Sequence, residues 1–334
     1  MRRRKRRREC FTGRGSEFAF LCREASGVYN FVFRTPLTGD MQMTLFDVVD
    51  RYAARRLLGA NKRTETKYRR VVRYLGQVVG RMPTIDDLTD DNVAAVMAMK
   101  MREGCSPYTV NDIRSKLVAL WTFAAKRGDA PRFPDVDRLA EPASAPVAWS
   151  ADQLGAVFAA MDNATQPVAG VPGPLWWKTL LSILWDTGER RGAIINRLPW
   201  SCLADGRLLV PAEVRKGKTR DKLYTLHADT VALCDQMRAF GHDVVIKWDR
   251  TDEQLVNRYR TLLKRAGLPH DRKHMFHCIR RSVASHAAAC GADATAILDH
   301  ADPSITRRYY LDPRIVPQPQ AVDVLFRPDS VRCS

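Results

Sequence analysis

The sequence predicts a mainly α chain, in which a small four-helix unit precedes a larger, mostly helical unit with one small antiparallel sheet. Three observations carry this. Apolar residues recur at intervals of three and four along most of the chain. A proline-rich stretch without any period occupies 129–149. Strand signals appear only at 207–211 and 222–227.

Length and composition set the frame. The 334 residues suit about two domains of roughly 100–200 residues each. A hydrophobic content of 45 % with 27 % charged residues is ordinary for a globular protein and argues against a mainly disordered chain. The longest apolar runs fall far short of a membrane span. The 54 Lys+Arg outnumber the 37 Asp+Glu, leaving a net charge of +17. Nucleic acid is the usual partner of so basic a chain, and an anionic membrane surface comes second. The eight cysteines, at 10, 22, 105, 202, 234, 278, 290 and 333, form no CxxC pair and no zinc-closing group with histidines. A chain this long buries a core without disulfide staples, and no apolar signal core follows the basic start. The cysteines therefore read as reduced thiols in a cytoplasmic protein.

The elements follow in order. Residues 1–42 form a basic extension that opens with MRRRKRRR and supplies +6 of the net charge through Met41. With no sustained period, it is expected to lack regular structure. It reads as an arm on DNA phosphates, as a solvated tail, or as translated sequence upstream of a start at Met41 or Met43. From Met43 the pattern turns helical. Leu45, Val48, Val49 and Tyr52 share a face, as do Tyr68, Val72, Leu75 and Val79, whose helix also carries Lys67, Arg69, Arg70 and Arg73. Helices over 90–103 and 107–127 follow, the latter opening at Ser106-Pro107 and stopping at Gly128. These four helices make a unit over 43–128, and 129–149 reads as a linker.

Ser150 then caps a helix over 151–161, and GPLWWKTLLSILWDTG gives a strongly apolar helix ending at Gly188. The two strand segments flank a basic turn, RKGKTRD. Helices return at 228–240, 252–266, 278–289 and 293–300, so the second unit spans 150–316 and leaves a tail over 317–334.

Four clusters carry chemistry: TGERRGA (187–193), RKGKTR (215–220), HCIRR (277–281) and DHADPSITRRYYLDPR (299–314). They are rich in Arg, His and Lys and poor in carboxylates. No phosphate-cradling GxxxxGK[ST] loop and no GxSxG elbow is present. Such a set suits an anionic reacting centre. A phosphodiester under attack becomes a pentacoordinate species with added negative charge, which guanidinium forks bind bidentately. His277 and Arg280, three apart on a helix, share a face. Arg191 and Arg281 adjoin the candidate arginines, but a helical neighbour points roughly 100° away.

The order TGxR, hairpin lysine, HxxR, then a histidine with a tyrosine nine residues later resembles the tyrosine recombinase (phage integrase) family over about 43–316. The resemblance implies a core-binding DNA-binding domain over 43–128 and a catalytic domain over 150–316. It implies that Arg190 and Arg280 clamp the scissile phosphate and that His277 helps accept the nucleophile's proton. It further implies that His300 binds a non-bridging oxygen, that Lys216 is the general acid, and that Tyr309 is the nucleophile. Lys218 rivals Lys216, and Tyr310, assigned to packing, rivals Tyr309. Two departures stand out. The family usually has a carboxylate three residues after its first arginine, where this chain has Ala193, and the stretch from Gly291 to His300 is about three residues shorter than the family's usual one, which trims one helix joint.

By this resemblance the chain is a site-specific recombinase that cleaves and rejoins DNA through a 3′-phosphotyrosine, for integration or excision of a mobile element. It would need no cofactor or metal, because the covalent bond stores the energy for rejoining. Its partner would be double-stranded DNA, closed upon by the two domains through the linker. It would act as a homotetramer on two sites, be a monomer or weak oligomer without DNA, and be nucleoid-associated without membrane contact. The alternatives are an inactive DNA-binding regulator, a type IB topoisomerase and a telomere resolvase.

Overall fold

In the computed structural model of the chain, the described residues are 43–59, 62–130, 133–142, 144–217, 220–317, 320 and 325, with the backbone of 20–23 and 29–32. Those last two segments are strands β1 (Phe20–Arg23) and β2 (Tyr29–Val32), paired antiparallel with Phe20 opposite Val32. They lie inside the extension for which the sequence shows no sustained period. Four residues are too few to establish one, although FLCR and YNFV hold the aromatic and β-branched residues that strands favour. The chain divides into two compact units, Met1–Pro142 and Ala143–Ser334.

The first unit is built on α1 (Leu45–Arg56), α2 (Lys62–Val79), α3 (Asp90–Arg102) and α4 (Pro107–Ala125). Local chemistry fixes their starts. Thr44 and Asp47 close a capping box on α1, and Ser106 caps α4 with Pro107 in its first turn. Leu45, Val49, Val72, Leu75, Leu117 and Trp121 are fully buried between the four helices. The irregular residues after α4 still need partners for their backbone groups. Asn111 supplies two, donating to the Leu139 carbonyl at 2.8 Å and accepting from its amide at 2.9 Å. Arg114 Nε donates to the Val136 carbonyl at 2.7 Å.

The second unit runs α5 (Ala151–Ala160), α6 (Gly173–Thr187), α7 (Arg191–Ile194), β3 (Leu203–Ala204), β4 (Arg207–Val210) and β5 (Lys222–Thr225). It continues with α8 (Ala228–Arg238), α9 (Asp252–Arg265), α10 (His277–Ala289), α11 (Ala294–Leu298) and α12 (Pro303–Tyr309). The sheet is antiparallel in the order β3-β4-β5. Alternation turns Leu208 and Val210 inward and Arg207 and Leu209 outward, and Leu208 pairs with Tyr224. The core gathers around Trp176, Trp177, Tyr259 and Phe276, with the Tyr259 and Phe276 rings stacked 4.4 Å apart. The end of the proline-rich stretch belongs here. Ala148 N–H donates to Asp312 and Trp149 N–H to Ser282 Oγ, both at 2.8 Å.

One boundary matters for the site. The helix expected over 293–300 stops at Leu298, because Asp299 takes a left-handed backbone (φ 52°, ψ 48°) and sends His300 out of the helix. Among the described residues no helix is long and apolar enough to cross a membrane.

Candidate active site

Helix α6 delivers the first cluster. Gly188 ends it in the left-handed region at φ 61°, and its N–H still reaches the Leu184 carbonyl at 2.9 Å. A Cβ at Gly188 would sit 3.1 Å from Leu298 and 3.2 Å from Val283, so glycine also permits close approach to α10 and α11. Glu189 and then Arg190 follow, the latter in extended geometry directly ahead of α7.

Arg280 is the centre of the cluster. It is only 2 % exposed. Its Nη1 donates to the Gly188 carbonyl and its Nη2 to the Leu298 carbonyl at 2.9 Å. Nη2 also lies 3.1 Å from His300 Nε2. Its Nε is buried without a hydrogen-bond partner. Arg190 is near enough for its charge to depress the Arg280 pKa, after the larger effect of burial.

His277 opens α10 one turn before Arg280. The residue is exposed at the surface, yet protein crowds around its ring. That desolvation, then the charges of Arg281, Arg280, Arg190 and His300, pushes its pKa down to about 4, so the ring is neutral at physiological pH. His300 holds Thr306 Oγ1 through Nδ1 at 2.9 Å.

The two tyrosines part company at the end of α12. Tyr310 is 6 % exposed, with its ring centroid 4.6 Å from His300 and 5.2 Å from His277 and the Arg280 guanidinium carbon 5.6 Å away. Ser285 of α10 pins the same residue by donating to its carbonyl at 3.0 Å. Tyr309 is 45 % exposed, with Arg308 over its ring. Lys216 is exposed in the turn after β4, and Lys218 lies outside the described residues. The structure therefore gathers Arg190, His277, Arg280, His300 and Tyr310, while Lys216 and Tyr309 face solvent.

The neighbouring arginines are occupied elsewhere. Arg191 pairs with Asp252 at 2.9 Å, and Arg281 donates to the Lys273 carbonyl.

The sequence reading missed an inner set of residues. Glu189 is buried and accepts from Arg215 Nε at 2.6 Å and Tyr224 Oη at 2.7 Å, and it lies 3.9 Å from Arg280. Burial alone would raise its pKa. The hydrogen bonds from Tyr224 and Arg215 and the charges of Arg215 and Arg280 outweigh burial and hold the carboxyl below its usual range. Arg215 also pairs with Asp299 at 3.0 Å. Lys222 donates to the Ala296 and Ile297 carbonyls at 3.0 and 2.7 Å, and burial lowers its pKa. Glu189 and Arg215 stood inside the quoted TGERRGA and RKGKTR clusters, but only an inward-facing geometry separates them from solvated charges. Among the described residues, no three His, Cys, Asp or Glu side chains stand together as metal ligands.

The first unit carries a separate basic row. Lys67, Arg70 and Arg73 lie exposed on α2, opposite the buried Val71, Val72 and Leu75. Arg69, expected with them, instead pairs with Glu65 at 2.8 Å and with Asp50.

No protein-family model matches the sequence, and no curated protein does either. Solved structures do. A lambda integrase fragment, in a dimer bound to a COC′ core site, superposes with a TM-score of 0.61 at 20 % identity, covering 79 % of this chain and 97 % of that one. Lambda integrase in a tetramer bound to a Holliday junction gives 0.61 at 17 % identity, covering 90 % and 97 %. Tn1549 transposon integrase in complex with transposon right end DNA gives 0.64 at 13 % identity, covering 83 % and 96 %. The chain has the fold of the lambda and Tn1549 integrases.

Proposed function

We propose that this chain is a site-specific tyrosine recombinase that cuts and rejoins duplex DNA through a 3′-phosphotyrosine. The observation that carries the reading is the convergence of Arg190, Arg280, His277 and His300 in this fold, around a buried guanidinium whose Nε has no protein partner. Guanidinium donors fixed before the reaction need no reorganisation when the phosphate gains charge.

In the proposed cycle, the Tyr309 oxygen attacks the phosphorus while its proton passes to neutral His277. The bond to the 5′ oxygen breaks, and Lys216 protonates the departing oxygen. A 5′ hydroxyl from another strand then attacks the phosphotyrosine and gives its proton back to Lys216, while the bond from phosphorus to the Tyr309 oxygen breaks and protonated His277 returns its proton to that oxygen. Tyr309 suits the nucleophile's part because it stands at the surface that DNA would reach. Tyr310 is held in place under Arg280. The exposed Lys67, Arg70 and Arg73 row offers contacts to backbone phosphates, which add affinity without reading sequence. A tetramer on two DNA sites, the assembly expected from the sequence, fits this reading.

An inactive regulator drew its support from the missing acid at Ala193. The buried Glu189 carboxylate weakens that reading, because it gives Arg280 an acidic neighbour from another position. The test is incubation of the full chain with nicked suicide duplexes drawn from the DNA flanking its gene. A denaturation-resistant protein–DNA adduct is expected, and binding without any adduct would leave the regulator. Exchanged products would exclude a purely relaxing enzyme.

A further inference from the structure

The site holds more charge than the proposed chemistry uses. Glu189, Arg215 and Asp299 form a chain of ion pairs at 2.6 and 3.0 Å, and Arg215 and Glu189 are buried. Each member sits on a different part of the site. Glu189 directly precedes Arg190 and lies 3.9 Å from Arg280. Arg215 directly precedes Lys216 at the root of the hairpin turn, where its Nη1 also donates to the Arg220 carbonyl at 3.0 Å. Asp299 directly precedes His300.

The backbone at Asp299 adds a second observation. A non-glycine residue in the left-handed region is uncommon, although aspartate tolerates it better than most. Here the conformation aims the carboxylate at Arg215. The carbonyls just before it are also held by cations: Ala296 and Ile297 by Lys222, and Leu298 by Arg280. The turn carrying His300 is thus tied to the hairpin and to α10 together.

Resting on the recombinase reading above, we infer that Glu189, Arg215 and Asp299 are positioning residues that lock Arg280, the hairpin turn and His300 into one mutual geometry. The mechanism follows from charge. Two carboxylates share one buried guanidinium, so neither end of the site moves without stretching an ion pair in a low-dielectric interior. In such an arrangement a displacement of about 1 Å costs about 10²-fold in rate.

The experiment is a double-mutant cycle on Glu189 and Asp299, whose carboxylates both pair with Arg215. Single-turnover adduct formation and DNA affinity are measured for the full-length chain, Glu189→Gln, Asp299→Asn and the double variant. Each single variant should lose at least tenfold in rate with affinity within about twofold. The double should fall little further than the slower single, because both carboxylates hold the same Arg215 guanidinium. Multiplying losses, losses carried by affinity, or rates equal to the unaltered chain would overturn the inference. If Glu189→Gln fails to fold, the more exposed Asp299→Asn decides alone through its rate at unchanged affinity. An unaltered chain that forms no adduct overturns the recombinase reading and this inference with it. An active chain with equally active variants overturns only the inference.

Discussion

Arg280 Nη2 stands 3.1 Å from His300 Nε2, and this contact fixes the imidazole's tautomer. A guanidinium has no acceptor, so Nε2 accepts and the proton sits on Nδ1, facing Thr306 Oγ1. In the DNA-free protein, nitrogen NMR should show His300 as the Nδ1–H tautomer. An Nε2–H signal would mean that the two side chains are not paired.

The paired arginines should differ sharply within each cluster. Arg190→Ala and Arg280→Ala should each lower the adduct-forming rate by about 10²-fold or more, as expected for a lost transition-state donor. Arg191→Ala and Arg281→Ala should cost far less, since Arg191 is engaged with Asp252 and Arg281 with the Lys273 carbonyl. Rate measurements at saturating DNA distinguish the two patterns, and equal losses would misplace the site.

His277 should titrate with a midpoint near 4 in the free protein, against about 6.5 for an unperturbed imidazole. Because its folded pKa is lowered, the unfolded chain takes up the proton first. This histidine's contribution to stability is therefore complete above about pH 6.5 and is lost progressively as pH falls toward 4. Bound phosphate, being anionic, should raise the midpoint. A carbon-detected NMR titration with and without DNA checks both directions, and an unshifted midpoint in the free protein would contradict the crowded cationic environment.

Gly188→Ala should destabilise the second unit. The left-handed backbone costs an L-residue about 1–2 kcal/mol, and the new methyl would press on Leu298 and Val283 at 3.1 and 3.2 Å. Because the Gly188 carbonyl accepts from Arg280, adduct formation should fall as well. A thermal melt beside a rate measurement tests this, and an unchanged melt would show that the turn relaxes freely.

Much of this was legible in the sequence, for physical reasons. The long helices announce themselves because a three-and-four period needs only one buried face, as the fully buried Val72 and Leu75 of α2 show. The caps at Ser106 and Ser150 are local chemistry, but the period was lost at short elements. The two-residue β3 and four-residue α7 are shorter than the window that would reveal them, and the left-handed Asp299 ends α11 two residues early. At the site, His277 and Arg280 were legible as a pair because helical spacing alone places them together. Glu189 was not. Its partners Arg215 and Tyr224 lie 26 and 35 residues away, and only the tertiary fold brings them within hydrogen-bond reach.

The most direct test of the account is to trap the covalent adduct on suicide DNA, digest it and map the phosphorylated residue. Phosphate is expected on Tyr309, with Tyr309→Phe binding DNA normally and forming no adduct while Tyr310→Phe still reacts. Phosphate on Tyr310 would contradict the assignment of the nucleophile. A bound chain that forms no phosphotyrosine at all would contradict the recombinase reading itself.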